Sequence, residues 1–491
     1  MNTNQILDYI KVNYGYNVPD PSFYFQIEKW NDWYRGEEMS FHKVCVNNGI
    51  TVTDREMFRL YMAKKVAEDW ANMLLNEKTF IVLDNKYSSE FLQGSDGTGG
   101  VFGENDFWSR ANRLVEKSFA LGTGAIVLYL DNAAIASDGS LMDSPDAKIR
   151  IDFISAQSII PLSWQGDNIT EVAFVSEITE KTGQYTYLQL HRLEKDGYVI
   201  TSKYFRSDKG YLEECSLPDG ISSTVRTGSG IPWFAIIRPN IVNTVAPDSA
   251  MGISVFADCI DILKGVDLCY DSLNTEFMLG RKMIFMRRDL LAADENGYLF
   301  PPQDAKRQLF MYIGDKTLDG DMVPKEFNPE LRVDEHVKAI QQQLNFLSGK
   351  CGFGERYYRF DNNSVVTATQ IVSENANLYR AIKKHEIAIE RALITLTRAI
   401  LSVAKTKLDK RVNPDCNISI CFDDSIVEDK GSEQRRDLEL IKQGVMKKWE
   451  FRVKYFGEDE KTAKKMVEEN PLSEKETAEI IEKEDIVMQE A

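Results

Sequence analysis

Histidine is scarce here. Four residues, His42, His191, His336 and His385, serve 491 positions, so chemistry built on a histidine base or a histidine metal cluster has little to draw on. No GxxxxGK[ST] occurs, which removes the phosphate cradle of a P-loop ATPase. Gly97, Gly99 and Gly103 fall near a dinucleotide fingerprint, but Phe102 stands where glycine is needed. Gly228 and Gly230 fail in the same way at Trp233. His385-Glu386 begins an HExxH on a helical pattern, yet Ile389 replaces the second ligand, so His385 reads as a polar-face or satisfied interface residue. Seven cysteines, an odd number, are scattered without a CxxC spacing; neither a zinc knuckle nor a redox pair is written, and mostly buried, reduced thiols are expected.

Also missing are long apolar runs and any excess of basic charge. The most apolar stretch, Ser118 to Leu130, is shorter than the roughly 20 residues that span a bilayer. The first residues have neither a basic region nor an apolar core, so the expectation is a soluble chain made in the cytosol, without membrane partners. A net charge of −17 argues against a basic face that grips phosphates; such a surface is better suited to DNA sliding past.

What is present suits packed globular units. Hydrophobic residues make up 43% and aromatics 11%, and the length predicts two to four units. The periodicity predicts a helix from about Thr53 to Glu77, carrying Met57, Tyr61, Val66, Trp70 and Met73. Another runs from Asp106 to Leu121, is stopped by Gly122-Thr-Gly124, and is followed by a buried strand over Ala125–Leu130. Strands dominate from Ile149 to about Val242, with hairpin signals at Asp196-Gly197 and Asp208-Lys-Gly210, and an apolar strand over Ile231–Ile237. A helix capped by Asp248 or Ser249 is expected to reach Arg281. It carries a stripe of Phe256, Ile260, Leu263, Val266, Tyr270, Leu273 and Phe277 along a rod about 45 Å long. After a strand-and-turn insertion come a short helix (Val333–Leu347) and a glycine-rich, basic, aromatic loop. A helix about 60 Å long then runs from Thr367 to about Leu408, striped by Leu378, Ile382, Ile389, Leu393, Leu396, Ile400 and Val403. Asn417–Phe422 is a strand, and charged helices end the chain, the last behind the capping box Ser473-Glu-Lys-Glu476.

Three features bear on function. Lys350, Arg356, Tyr357, Tyr358 and Arg359 combine cations with rings, as contact with a nucleic-acid backbone and bases requires, although the tyrosines could equally pack on their own fold. Arg281, Lys282, Arg287 and Arg288 cluster where the long helix enters the insertion, where they also complement a helix C-terminus. Asp423 and Asp424 follow a strand; they suit a helix N-terminus and, less well, a metal.

Four stretches carry a family resemblance: Ile231-Pro-Trp-Phe-Ala-Ile-Ile-Arg-Pro-Asn240; Met251-Gly-Ile-Ser-Val-Phe256; Gly349 to Glu374; and Phe422-Asp-Asp-Ser-Ile426 with Gly444-Val-Met-Lys-Lys-Trp-Glu450. In this order they resemble the portal proteins (head–tail connectors) of tailed bacteriophages, of the kind common in phages of Gram-positive bacteria. The resemblance implies an α+β portal fold and a non-enzymatic, cofactor-free homo-oligomer of twelve subunits at one virion capsid vertex, made in the host bacterial cytoplasm. It implies a channel for double-stranded DNA in packaging and ejection, and nucleation of procapsid assembly. The implied partners are the terminase large subunit, a head-completion or adaptor protein, and the major capsid and scaffolding proteins. On this pattern residues 1–249 are the wing, 250–282 a stem helix, 283–330 the clip and 331–349 the second stem helix. Residues 350–366 are a tunnel loop facing DNA through Lys350, Arg356, Tyr357, Tyr358 and Arg359, 367–422 return to the wing, and 423–491 form the crown. Phe256, Ile260, Leu263, Tyr270, Leu273 and Phe277 become contacts between subunits, and both striped helices, rods too long for one core, are expected to bury their apolar sides there. The competing readings are another capsid-associated adaptor without a DNA channel, or a metal-dependent enzyme using Asp423 and Asp424.

Overall fold

The computed structural model describes residues 3–47, 52–76, 78–95, 97, 99–181, 183–208, 211–218, 220–287, 292–293, 299–300, 310–313, 325–359, 368–422, 437–441, 446–456 and 460–469. The chain divides into two units, Met1–Asp423 and Asp424–Ala491. It mixes helix and sheet, as an α+β fold does. No described helix is long and apolar enough to cross a membrane.

The first unit opens with α1 (Thr3–Tyr14), α2 (Pro21–Arg35) and α3 (Met39–His42). Asp20 starts α2 by accepting the Ser22 amide, and Gly36 ends it in the left-handed region. Next comes an antiparallel hairpin, β1 (Lys43–Asn47) and β2 (Val52–Glu56). The helix expected from Thr53 therefore begins only at α4 (Met62–Leu74), because β-branched Val52 and Thr53 pair across the hairpin. β3 (Phe80–Leu83), α5 (Lys86–Gln93), α6 (Gly100–Glu104) and α7 (Phe107–Leu121) lead to β4 (Gly124–Asp131) and β5 (Lys148–Ser155).

A long meander follows: β6 (Ile159–Gln165), β7 (Asn168–Glu180), β8 (Gly183–Glu194), β9 (Gly197–Asp208) and β10 (Tyr211–Cys215), with β11 (Thr224–Arg226) also on β9. Both expected hairpins are present, since β8 turns into β9 at Gly197 and β9 into β10 at Asp208. β12 (Phe234–Ile237) joins a separate sheet in the order β12-β4-β5.

α8 (Ile260–Leu279) comes next, and it is shorter than the sequence pattern predicts. The backbone before it is diverted: the Gly252 amide donates to Thr123 Oγ1 at 3.0 Å and the Val255 amide to the Phe119 carbonyl at 2.9 Å. Gly122 (φ 91°) and Gly252 cross so closely that a Cβ on either would strike the other's carbonyl. Small strands follow: β13 (Met283–Arg287), β14 (Ala292–Ala293), β15 (Leu299–Phe300), β16 (Phe310–Ile313) and β17 (Lys325–Phe327). Then come α9 (Val333–Lys350), α10 (Ala368–Thr406) and β18 (Ile418–Cys421), which pairs with β3.

α10 overturns one expectation. Leu378, Ile382, Ile389, Leu393, Leu396, Ile400 and Val403 are all buried within this one chain, along a path over β12, α4, α5 and β18. A rod too long for a single small core is covered by several elements in turn. Its stripe needs no second subunit.

The core around α10 centres on Trp70, Phe119, Phe353 and His385. His385 packs edge-on to Trp70 and Phe119, and its Nδ1 accepts the Asn240 amide at 3.0 Å. Burial lowers its pKa to about 3, so it is a neutral core residue and not one of a polar face. In the second unit, helices Lys448–Phe456 and Glu460–Glu469 are described, and Asp437 accepts from Lys454 and Tyr455. Asp423, Asp424 and the capping box at Ser473 lie outside the described residues.

Candidate functional site

α8 and α9 form an antiparallel hairpin whose register is set by polar pairs. Near the far end Glu276 accepts from the Arg332 amide and guanidinium at 2.8 Å and lies 2.6 Å from His336 Nε2. Near the middle Gly265 leaves room for the Gln343 amide group, and at the foot Cys259 meets Cys351. Hydrogen bonds from Arg332 and His336 lower the Glu276 pKa from 4.5 to about 2.

The expected interface stripe splits along the rod. Phe256 and Leu263 are buried by their own chain, so they leave the set of possible subunit contacts. Ile260, Tyr270 and Leu273 are half-buried, and Phe277 is 46% exposed. Leu268 and Leu279, the latter 70% exposed, stand on another flank. At about 100° per residue they lie together on one side of the α9 contact, and Tyr270, Leu273 and Phe277 on the other. The helix thus leaves apolar surface on two flanks, open at Leu268 and Leu279 and partly covered at Tyr270 and Leu273, and Phe346 of α9 adds a further exposed ring.

A third side of α8 carries acids that sequence reading missed. Asp267 lies 2.9 Å from His42 Nε2 and accepts the Leu60 amide at 2.8 Å. One turn later Asp271 receives both Arg55 guanidinium nitrogens at 2.7 Å and the Phe58 amide at 3.0 Å. Burial alone would raise the Asp271 pKa, but Arg55 and the Phe58 amide bring it below the usual carboxylate value. The available signal was the i, i+4 spacing of two acids on an apolar helix. Their partners are more than 200 positions away, so spacing could not name them.

The loop after α9 buries Phe353 and Tyr358 and leaves Tyr357 exposed beside its cations. Gly352 and Gly354, both at φ 90°, turn the chain so that Phe353 stacks on Trp70 at 4.7 Å and Tyr357 stacks on Phe353 at 4.6 Å. Trp70 Nε1 also donates to the Cys351 carbonyl at 3.1 Å. Tyr358 is only 8% exposed, and burial with nearby Asp69 pushes its hydroxyl pKa far up. It is therefore a core residue rather than a DNA-facing one. Lys350 and Arg359 are exposed and Arg356 is half-exposed; Arg359 Nε donates to the Arg356 carbonyl at 3.3 Å. Among the described residues none of these three cations has a carboxylate within ion-pair distance.

The second basic group is only partly placed. Arg281 and Lys282 are exposed at the end of α8, where Lys282 pairs with Glu326 at 2.5 Å. Arg287 ends β13, and Arg288 lies outside the described residues. No cluster of three or more potential metal ligands occurs among the described residues.

Residues 20–476 match the model of a family described as phage portal protein, SPP1 Gp6-like. A search of curated proteins found no match.

Proposed function

The chain belongs to the SPP1 Gp6-like phage portal protein family, and from that premise we propose that it forms a closed ring at a capsid vertex and conducts double-stranded DNA. The observation that carries this reading is the α8–α9 hairpin. It has two different apolar flanks, and its foot leads into a loop whose cations face outward. A rotational ring is built from head-to-tail contacts, so each subunit needs two unlike surfaces, one for each neighbour. Leu268 with Leu279, and Tyr270 with Leu273 and Phe277, meet that requirement.

Lys350, Arg356 and Arg359, with exposed Tyr357 beside them, are the residues assigned to DNA, while Phe353 and Tyr358 hold the loop on Trp70. Sparse cations on a chain of net charge −17 favour passage over capture, because phosphate affinity grows with each neutralised charge. The proposed divisions remain wing (1–249 and 367–422), stem (250–282 and 331–349), clip (283–330), tunnel loop (350–366) and crown (423–491). The clip is assigned to the terminase large subunit during packaging and to a head-completion protein afterwards. Twelve subunits and nucleation of procapsid assembly complete the proposal.

The test is a double substitution, Arg356→Ala with Arg359→Ala, in the full chain. Packaged DNA per capsid should fall while purified oligomers keep their wild-type size. Unchanged packaging would remove this loop from the DNA path.

A further inference from the structure

The feet of α8 and α9 hold two thiols to which the ring and its channel assign no task. Cys351 Sγ donates to Cys259 Sγ across 3.8 Å. Both side chains are buried, at 2% and 3% exposure. Each backbone is fixed: the Cys259 amide donates to the Phe256 carbonyl, the Cys351 amide to the Leu347 carbonyl, and the Cys351 carbonyl receives Trp70 Nε1. Among the described residues no other two thiols share a hydrogen bond.

We propose that Cys259 and Cys351 are a redox site that closes to a disulfide in an oxidising medium, tying the start of α8 to the start of the cationic loop. Closure needs the sulfurs to approach by about 1.8 Å, given an S–S bond of about 2.05 Å. A small disulfide such as oxidised glutathione is the oxidant, and it meets Cys259 when the foot of the hairpin opens locally. The Cys259 thiolate attacks one of its sulfurs, forming a mixed disulfide and releasing one glutathione thiol. Cys351 gives up its proton and displaces the second, so the pair loses two protons and two electrons and the oxidant gains them. The hydrogen bond from Cys351 lowers the pKa of Cys259, which makes Cys259 the first to ionise, and it raises that of Cys351. The bond would close a loop of 92 residues, restricting the unfolded chain. The reducing cytosol keeps the site open during assembly, and an oxidising exterior closes it. The thiol geometry is local to this chain, while the passage from cytosol to exterior rests on the portal reading.

The purified full chain is incubated with oxidised glutathione, digested without reductant and analysed by mass spectrometry, with thermal unfolding followed in parallel. A linked Cys259–Cys351 peptide should accumulate as two of the seven thiols disappear. The thermal midpoint should rise and return on adding reductant. Cys351→Ala should give neither the linked peptide nor the rise; Cys259→Ala serves as the same control if the first variant does not fold. Reaction of exposed Cys45 while Cys259 and Cys351 stay free would overturn the proposal, as would a linked pair that leaves the midpoint unchanged or lower.

Discussion

Glu276 joins the far end of the helical hairpin through four donors on a single carboxylate. A carboxylate whose pKa is lower in the folded chain contributes stability above its unfolded value, and that contribution disappears as pH falls through the folded value. For Glu276 the window lies between 4.5 and about 2. The thermal midpoint should therefore drop through this range, and Glu276→Gln should flatten that part of the profile; a parallel profile would contradict the assignment. Asp271 acts in the core. Replacing it with Ala strands Arg55 and the Phe58 amide, at an expected cost of about 3 kcal/mol in denaturant unfolding. A loss below about 1 kcal/mol would mean that the hairpin β1–β2 is not held to α8 by this pair. Neither residue stood out in the sequence, because an acid on a helix reads as solvated until its partner is known. His385 was half legible: the missing second ligand ruled out a zinc site, but not the aromatic surroundings that keep it neutral.

Among the elements, periodicity located α7, α9, α10 and the meander well, since local pattern and burial agree there. It failed where backbone groups are claimed from afar. The helix start expected at Asp248 or Ser249 is not used, because the Gly252 amide goes to Thr123 and the Val255 amide to Phe119, so α8 begins at Ile260. It failed also for Thr53–Glu56, where strand pairing won. The loop after α9 was legible in composition but not in direction, because the stack on Trp70 turns Phe353 and Tyr358 inward and leaves Tyr357 exposed on top of Phe353. Phe353 is buried between two rings, and Phe353→Ala should cost about 3–5 kcal/mol. It should also open the loop to limited proteolysis near Arg356. Wild-type protease resistance in that variant would show that the stack does not hold the loop.

For the whole molecule, burial redistributes the case for assembly. The stripe of α10 from Leu378 to Val403 is buried within its own chain, so it gives no reason to form a ring. That reason now rests on the outer half of α8, where Leu268, Phe277 and Leu279 remain in solvent. Burying each against a neighbour is worth about 1.5–3 kcal/mol, multiplied around a closed ring. The most direct measurement is negative-stain imaging of the purified chain beside Phe277→Glu. Wild type should appear as closed annular particles with a central hole, and the variant, whose altered side chain is exposed in the monomer, should remain folded but form smaller species. A folded wild-type monomer that makes no closed particles under assembly conditions would contradict the account.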